Sequence, residues 1–133
     1  MRVLLDTHVL LWAVGSSAKL DQTTRRLLED AGNDVLFSAA SIWEIAIKAG
    51  LRRADFNVRP DVIVDAARGM GFDELKVCAR AAILVADLPP HHRDPFDRIL
   101  VAQAIAMPAR LYTADPALAP YSELVTIDDR PHL

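Results

Sequence analysis

Three short runs, "RVLL" at residues 2–5, "DVLFS" at 34–38 and "ARLYT" at 109–113, are apolar almost without interruption. A strand with one face in water alternates apolar and polar side chains. A strand that is apolar throughout is covered on both faces, the condition of a parallel sheet held between two helix layers. Helical spacing fills the sequence between these runs. "THVLLWAV" follows the first. "LDQTTRRLLEDAG" carries a start signal at Asp21 and a glycine stop at Gly32. "AASIWEIAIKAG" follows the second run, "PDVIVDAARGMG" has proline in its first turn, and "CARAAILVADL" is closed by Pro89 and Pro90. "DPFDRILVAQAIAM" is the longest helical stretch, "FDELKV" and "ELVTI" read as two further short strands, and residues 51–60 read as a polar, proline-terminated loop. Strands alternating with helices specify an α/β fold, three layers deep, around a central parallel sheet. At 133 residues the chain has length for one core, so residues 1–133 are expected to form a single domain.

Just over half of the residues, 52%, are hydrophobic, enough to build a sizeable interior and too many for a disordered chain. The single cysteine, Cys78, excludes an intrachain disulfide framework, fits a reducing compartment and is expected as a small core residue at a helix start. The opening "MRVLLDTHVLLWAVG" has the outline of a signal peptide, but Asp6 and His8 interrupt its apolar region. No run reaches the roughly 18 apolar residues of a membrane span. A soluble cytoplasmic protein is the expectation. The formal charge of −3 lacks the basic balance usual for nucleic-acid binding, although Arg25–Arg26, Arg52–Arg53, Arg93 and Arg98 could gather on one face.

In open α/β sheets, functional groups collect where the carboxyl ends of the strands open. Asp6 directly follows the first strand; Thr113 and Asp115, in "YTAD", directly follow a later one. Glu44 lies two turns into the helix after "DVLFS", and Asp97 lies in the first turn of the longest helix. Each acid also has a structural explanation. Asp6 and Asp115 suit helix N-caps, the latter followed by Pro116. Glu44 completes an S-x-x-E pattern with Ser41 or pairs with Lys48 one turn on, but the helix is expected to begin at Ala39, before Ser41, which weakens the first alternative. In "RDPFDR", Asp94 before Pro95 is a natural N-cap, and Asp97 then falls at the third helical position, where the positive helix end is expected to lower its pKa.

Several carboxylates converging at one sheet edge repel one another unless protonated or bound to a cation. Oxygen-only ligands suit the hard ions Mg²⁺ or Mn²⁺, and no Cys/His spacing suggests zinc. His8 is expected on a helix surface, and His91 and His92 in a solvent-exposed loop. No glycine-rich phosphate loop and no nucleophile motif occurs. Metal-assisted displacement at phosphorus remains as the chemistry.

Four stretches, "LLDTHVLLW", "SAASIWEIAIK", "HRDPFDRILVAQA" and "LYTAD", together resemble the PIN-domain family, in particular VapC-type toxins of bacterial toxin–antitoxin pairs. They occur in the family's order and span nearly the whole chain. The resemblance implies a parallel sheet wrapped by helices and an acidic pocket for Mg²⁺ or Mn²⁺. It implies cleavage of RNA to leave a 5′-phosphate and a 3′-hydroxyl. By position, Asp6, Glu44, Asp97 and Asp115 match the family's acidic, metal-holding set, and Thr113 its neighbouring polar residue; Thr7 and Arg98 are candidates for substrate or supporting contacts. It also implies a homodimer and a small antitoxin with a DNA-binding part and a tail along the toxin's groove, for which Trp12, Trp43 and Ile47 are surface candidates, although such residues are more often core.

Two other classes of function stand beside this one. A PIN fold could act as a catalytically silent binding module through a protein partner, but the chain retains all four acids. A phosphohydrolase of the haloacid dehalogenase type would use Asp6 as a nucleophile, but its pattern wants a second aspartate where this chain has His8.

Overall fold

The computed structural model describes residues 1–51 and 58–128. Within them, five strands form one sheet in the order β3-β2-β1-β4-β5: β1 Arg2–Leu5, β2 Asp34–Ser38, β3 Asp73–Leu75, β4 Arg110–Thr113 and β5 Val125–Ile127. Every pairing is parallel. Six α-helices connect and cover them: α1 Thr7–Gly15, α2 Gln22–Glu29, α3 Ala39–Gly50, α4 Pro60–Gly69, α5 Ala79–Leu84 and α6 Pro95–Ala106, with short 3₁₀ turns at Ser17–Lys19, Val85–Asp87 and Pro116–Tyr121.

The apolar strands divide their side chains between two cores. Val3 and Leu5 of β1, with Phe37 and Tyr112, face Val9, Leu10, Ile45, Ile63 and Ala67 from α1, α3 and α4. Leu4, Leu36 and Leu111 face the opposite way, onto Leu100, Val101 and Ala104 of α6 and onto Leu118. Strand periodicity of two thus places alternate residues of one run in different layers. This is the three-layer α/β arrangement that the uninterrupted apolar runs require.

Several boundaries are tighter than the sequence suggests. Helix α2 ends at Glu29, before Gly32, because Asp30 leaves helical geometry and its carboxylate accepts the Gly32 N–H at 2.8 Å. The stretch "CARAAILVADL" divides into α5 and a 3₁₀ turn. Strand β3 is three residues long at the sheet edge, with two of them exposed. Gly71, at φ 87°, takes the left-handed conformation that turns the chain from α4 into β3. Cys78 is exposed, not a core residue. The helix it precedes buries only Ala81, so the flank of that helix lies outside both cores. Of the loop expected at residues 51–60, residues 52–57, with the pair Arg52–Arg53, lie outside the described residues, and its closing Pro60 is already the first residue of α4.

Chain order explains where a site can form. From β1 the sheet grows outward through β2 to β3, then returns to β4 on the other side of β1. The two connections leave in opposite directions and open a crevice at the carboxyl ends of β1 and β4. Asp6 follows β1 and Thr113 ends β4.

Candidate metal centre at the sheet switch point

Asp6 is buried, and both of its oxygens are held. As N-cap of α1, its Oδ1 accepts the Val9 N–H at 2.8 Å; Oδ2 accepts the Thr113 hydroxyl. Burial pushes its carboxyl pKa up, with these hydrogen bonds and His8 opposing. Thr113 also accepts the Asp115 N–H at 3.0 Å, so one hydroxyl links the ends of β1 and β4. Thr7 donates to Ser41 at 3.0 Å and ties the start of α1 to α3.

Glu44 is 5% exposed. Helix α3 begins at Ala39 with Ser38 as its N-cap, so Ser41 caps nothing and the S-x-x-E pattern is incidental. Glu44 Oε2 pairs with Lys48 at 2.9 Å, while its buried Oε1 has no hydrogen-bond partner. A buried carboxylate oxygen without a partner is costly and needs a reason.

The two aspartates of "RDPFDR" separate cleanly. Asp94 is the N-cap of α6 and its Oδ1 accepts the Phe96 N–H at 2.8 Å, with Pro95 at the first helical position. Asp97, one residue on from Phe96, faces the crevice with Asp6, His8, Ala114, Asp115 and Pro116, around a cavity of about 290 Å³. Its pKa is not lowered by the helix end. It is raised from 3.8 to about 7, first by burial and then by the charges of Asp94 and Asp6, with Glu44 adding to the effect and His92 opposing it. Desolvation and three neighbouring carboxylates outweigh a helix-end contribution of about 0.3–1 kcal/mol.

Asp115 caps the turn Pro116–Tyr121 through Oδ1, which accepts the Ala117 N–H at 2.9 Å. Its Oδ2 lies 3.0 Å from Nε2 of His92, and the same nitrogen is 3.5 Å from Asp97 Oδ2. The sequence places His92 in solvent; the structure half-buries it between two acids. His91, its neighbour, is exposed and packs edge-on against Tyr121 at 5.0 Å. The one sequence signal for His92 is its position two residues before a proline-locked N-cap, where its ring can accept the cap residue's N–H, as it does from Asp94 at 3.0 Å. Arg98 turns away from the crevice. Its two terminal nitrogens donate to the carbonyls of Val85, Leu88, Pro89 and His92 and to the Tyr121 hydroxyl, over 3.0–3.4 Å. It holds in place the loop that carries His92.

Asp6, Glu44 and Asp97 therefore share one electrostatic environment, with Asp115 beside Asp97. Such a set fits a hard divalent cation: it is all oxygen, Asp6 and Glu44 add their charge to the burial and the Asp94 charge that raise Asp97, and Glu44 Oε1 is unsatisfied. The Asp97, Asp115 and His92 ligand atoms all lie within 4.8 Å of one another.

The family model for the PIN domain matches residues 3–124. This chain belongs to the PIN-domain family. As a PIN protein it shares its fold with VapBC2 from Rickettsia felis, solved bound to a DNA fragment from their promoter, at 13% identity, TM-score 0.68 and coverage of 96% of this chain and 97% of that one. It is similarly close to a domain of a functionally unknown protein from Methanocaldococcus jannaschii, at 16% identity, TM-score 0.61 and coverage of 99% and 94%. No sequence of a curated protein matches it. Among the described residues of this PIN domain, no helix is long and apolar enough to cross a membrane.

Proposed function

We propose that this PIN domain, one folded unit over residues 1–133, is a divalent-metal-dependent endoribonuclease and the toxin half of a toxin–antitoxin pair in the cytoplasm. The observation that carries the reading is the carboxylate cluster at the switch point, in which Asp97 is raised to about 7 while Glu44 Oε1 lacks a partner. A cation bound among these carboxylates would offset their mutual repulsion. Asp6, Glu44, Asp97 and Asp115 are the residues assigned to hold Mg²⁺ or Mn²⁺. Bound there, the ion supplies charge neutralisation at a phosphodiester and activation of water.

The chain's own residues do the positioning. The Val9 N–H and the Thr113 hydroxyl fix the Asp6 carboxylate at the floor of the crevice. Lys48 holds one oxygen of Glu44 and leaves the other buried without a partner. Asp94 fixes the first turn of α6 and so the direction of Asp97.

A second depression, of about 420 Å³, adjoins this centre through Glu44 and runs along Ile47, Lys48, Arg93, Asp94, Pro95 and Phe96. Trp43, 64% exposed, packs edge-on against Phe96 at 5.1 Å, and Ile47 is 42% exposed, whereas Trp12 packs against the core. This apolar rim supports the antitoxin assignment, as does likeness to the fold found in a VapBC complex. A homodimer would add a second set of arginines to an RNA groove.

Purified protein is expected to cut RNA with added Mg²⁺ or Mn²⁺, to leave 5′-phosphate ends and to stop in EDTA. Full cleavage in chelator would contradict the mechanism. No cleavage with any ion, by a protein that still binds the product of its neighbouring reading frame, would favour the silent binding module.

A further inference from the structure

His92 is held through both its backbone and its ring beside Asp97 and Asp115. Its backbone N–H donates to the Tyr121 hydroxyl at 2.8 Å, and its carbonyl accepts from Arg98 at 3.4 Å. Its ring nitrogen Nδ1 accepts the Asp94 N–H at 3.0 Å. A backbone N–H cannot accept, so Nδ1 carries no proton, and the single proton of the neutral ring lies on Nε2. That proton points at Asp115 Oδ2, 3.0 Å away, with Asp97 Oδ2 at 3.5 Å. Nε2 is therefore a hydrogen-bond donor and has no free lone pair for a metal, even though its distances to the acids suit a ligand.

Resting on the metal-dependent reading above, we propose that His92 is a positioning residue that sets the Asp115 and Asp97 carboxylates for the cation, acting as an Nε2–H donor and never as a nitrogen ligand. Its ring bridges the starts of two helical segments. Nδ1 binds the cap residue of α6, and Nε2 binds the cap residue of the turn Pro116–Tyr121. Asp115 is thereby held through both oxygens, by the Ala117 N–H on one and His92 on the other, each oxygen keeping acceptor capacity for an ion. Without the ring, Asp115 would be anchored at one oxygen only and free to swing toward solvent, where 40% of its side chain already lies. Donors of this kind orient ligands and govern affinity without touching the ion.

Two substitutions separate the ring's two functions. In His92→Gln the side-chain amide nitrogen takes the place of Nε2 and can still donate to Asp115. In His92→Asn the amide oxygen takes the place of Nδ1 and accepts the Asp94 N–H, but Asp115 is out of reach. With melting temperatures recorded to establish that both fold, Mn²⁺ affinity measured by calorimetry should fall at least tenfold in His92→Asn and stay within about threefold of wild type in His92→Gln, given the usual effect of such outer contacts. Nitrogen-15 NMR of the metal-free wild type should show the Nε2–H tautomer of His92. Pulsed EPR of the Mn²⁺ form should show no directly bonded imidazole nitrogen. An Nδ1–H tautomer, a bonded nitrogen, or equal affinities for the two variants would overturn the proposal. A wild type that takes up no Mn²⁺ contradicts the metal-dependent function itself, while the tautomer in metal-free protein still decides whether His92 donates to Asp115.

Discussion

Replacing Asp97 by Asn should stabilise the metal-free protein above neutral pH. The folded carboxyl titrates near 7 and its ordinary value is 3.8. Below the lower value both folded and unfolded chains carry the proton, and the group is neutral to stability. Between the two, the unfolded chain ionises while the folded one keeps its proton, so stability falls as pH rises. Above 7 both are ionised and the whole penalty is present. Three pH units at about 1.4 kcal/mol each give an upper limit of ~4 kcal/mol. With 21% of the Asp97 side chain exposed, solvent screening brings this to roughly 2 kcal/mol. Asn removes the charge at nearly constant shape. In EDTA at pH 8 the variant should therefore melt roughly 4–8 °C above wild type, at the 2–4 °C per kcal/mol of a domain near this size, and the two should converge toward pH 4. Thermal melts from pH 4 to 8 provide the assay. A variant less stable than wild type at pH 8, or parallel pH curves for the two proteins, would refute the crowding of charge on which the site is built.

Mg²⁺ or Mn²⁺ should raise the melting temperature of wild type but not of Asp6→Asn, which differential scanning fluorimetry across a metal titration can read. Arg98→Ala should lower stability by about 1.5–3 kcal/mol in urea melts, because it removes charged hydrogen bonds to four carbonyls and a hydroxyl. Expressed alone in a bacterial host the chain should arrest growth, and co-expression of the small protein from the adjacent reading frame should restore it; equal growth of wild type and Asp6→Asn cultures would count against a toxin.

The fold was legible because its determinants are local. Uninterrupted apolar strands announce a sheet covered on both faces, and the observed sheet is parallel throughout. Caps at Asp6, Asp21, Asp94 and Asp115 were readable for the same reason, since a cap and its N–H partner lie two or three residues apart. What escaped depends on contacts across the chain. Asp97 looks like a helix-end carboxylate until the fold buries it; burial first, then the charges of Asp94 and of Asp6, 91 positions earlier, raise its pKa instead of lowering it. His92 looks like a loop histidine until Asp115, Tyr121 and Arg98 close around it. Trp43 and Ile47 carry core-type side chains yet lie on the surface, because the face of α3 that meets the sheet is taken by Ile45 and its neighbours. Periodicity reports which faces of a helix are apolar, not which of them finds a partner.

Asp94 and Asp97 lie three residues apart at the start of α6, so substituting each in turn separates a capping carboxylate from a chemical one. Initial rates of RNA cleavage in Mg²⁺ should be measured for Asp94→Ala and Asp97→Asn at a temperature where both are folded. Asp94→Ala should lose about 1 kcal/mol of stability with its cap and keep most of its activity. Asp97→Asn should hold its fold and lose cleavage by orders of magnitude. An Asp97→Asn protein that cleaves at near wild-type rate, or an inactive but folded Asp94→Ala, would contradict the assignment of chemistry to the second aspartate.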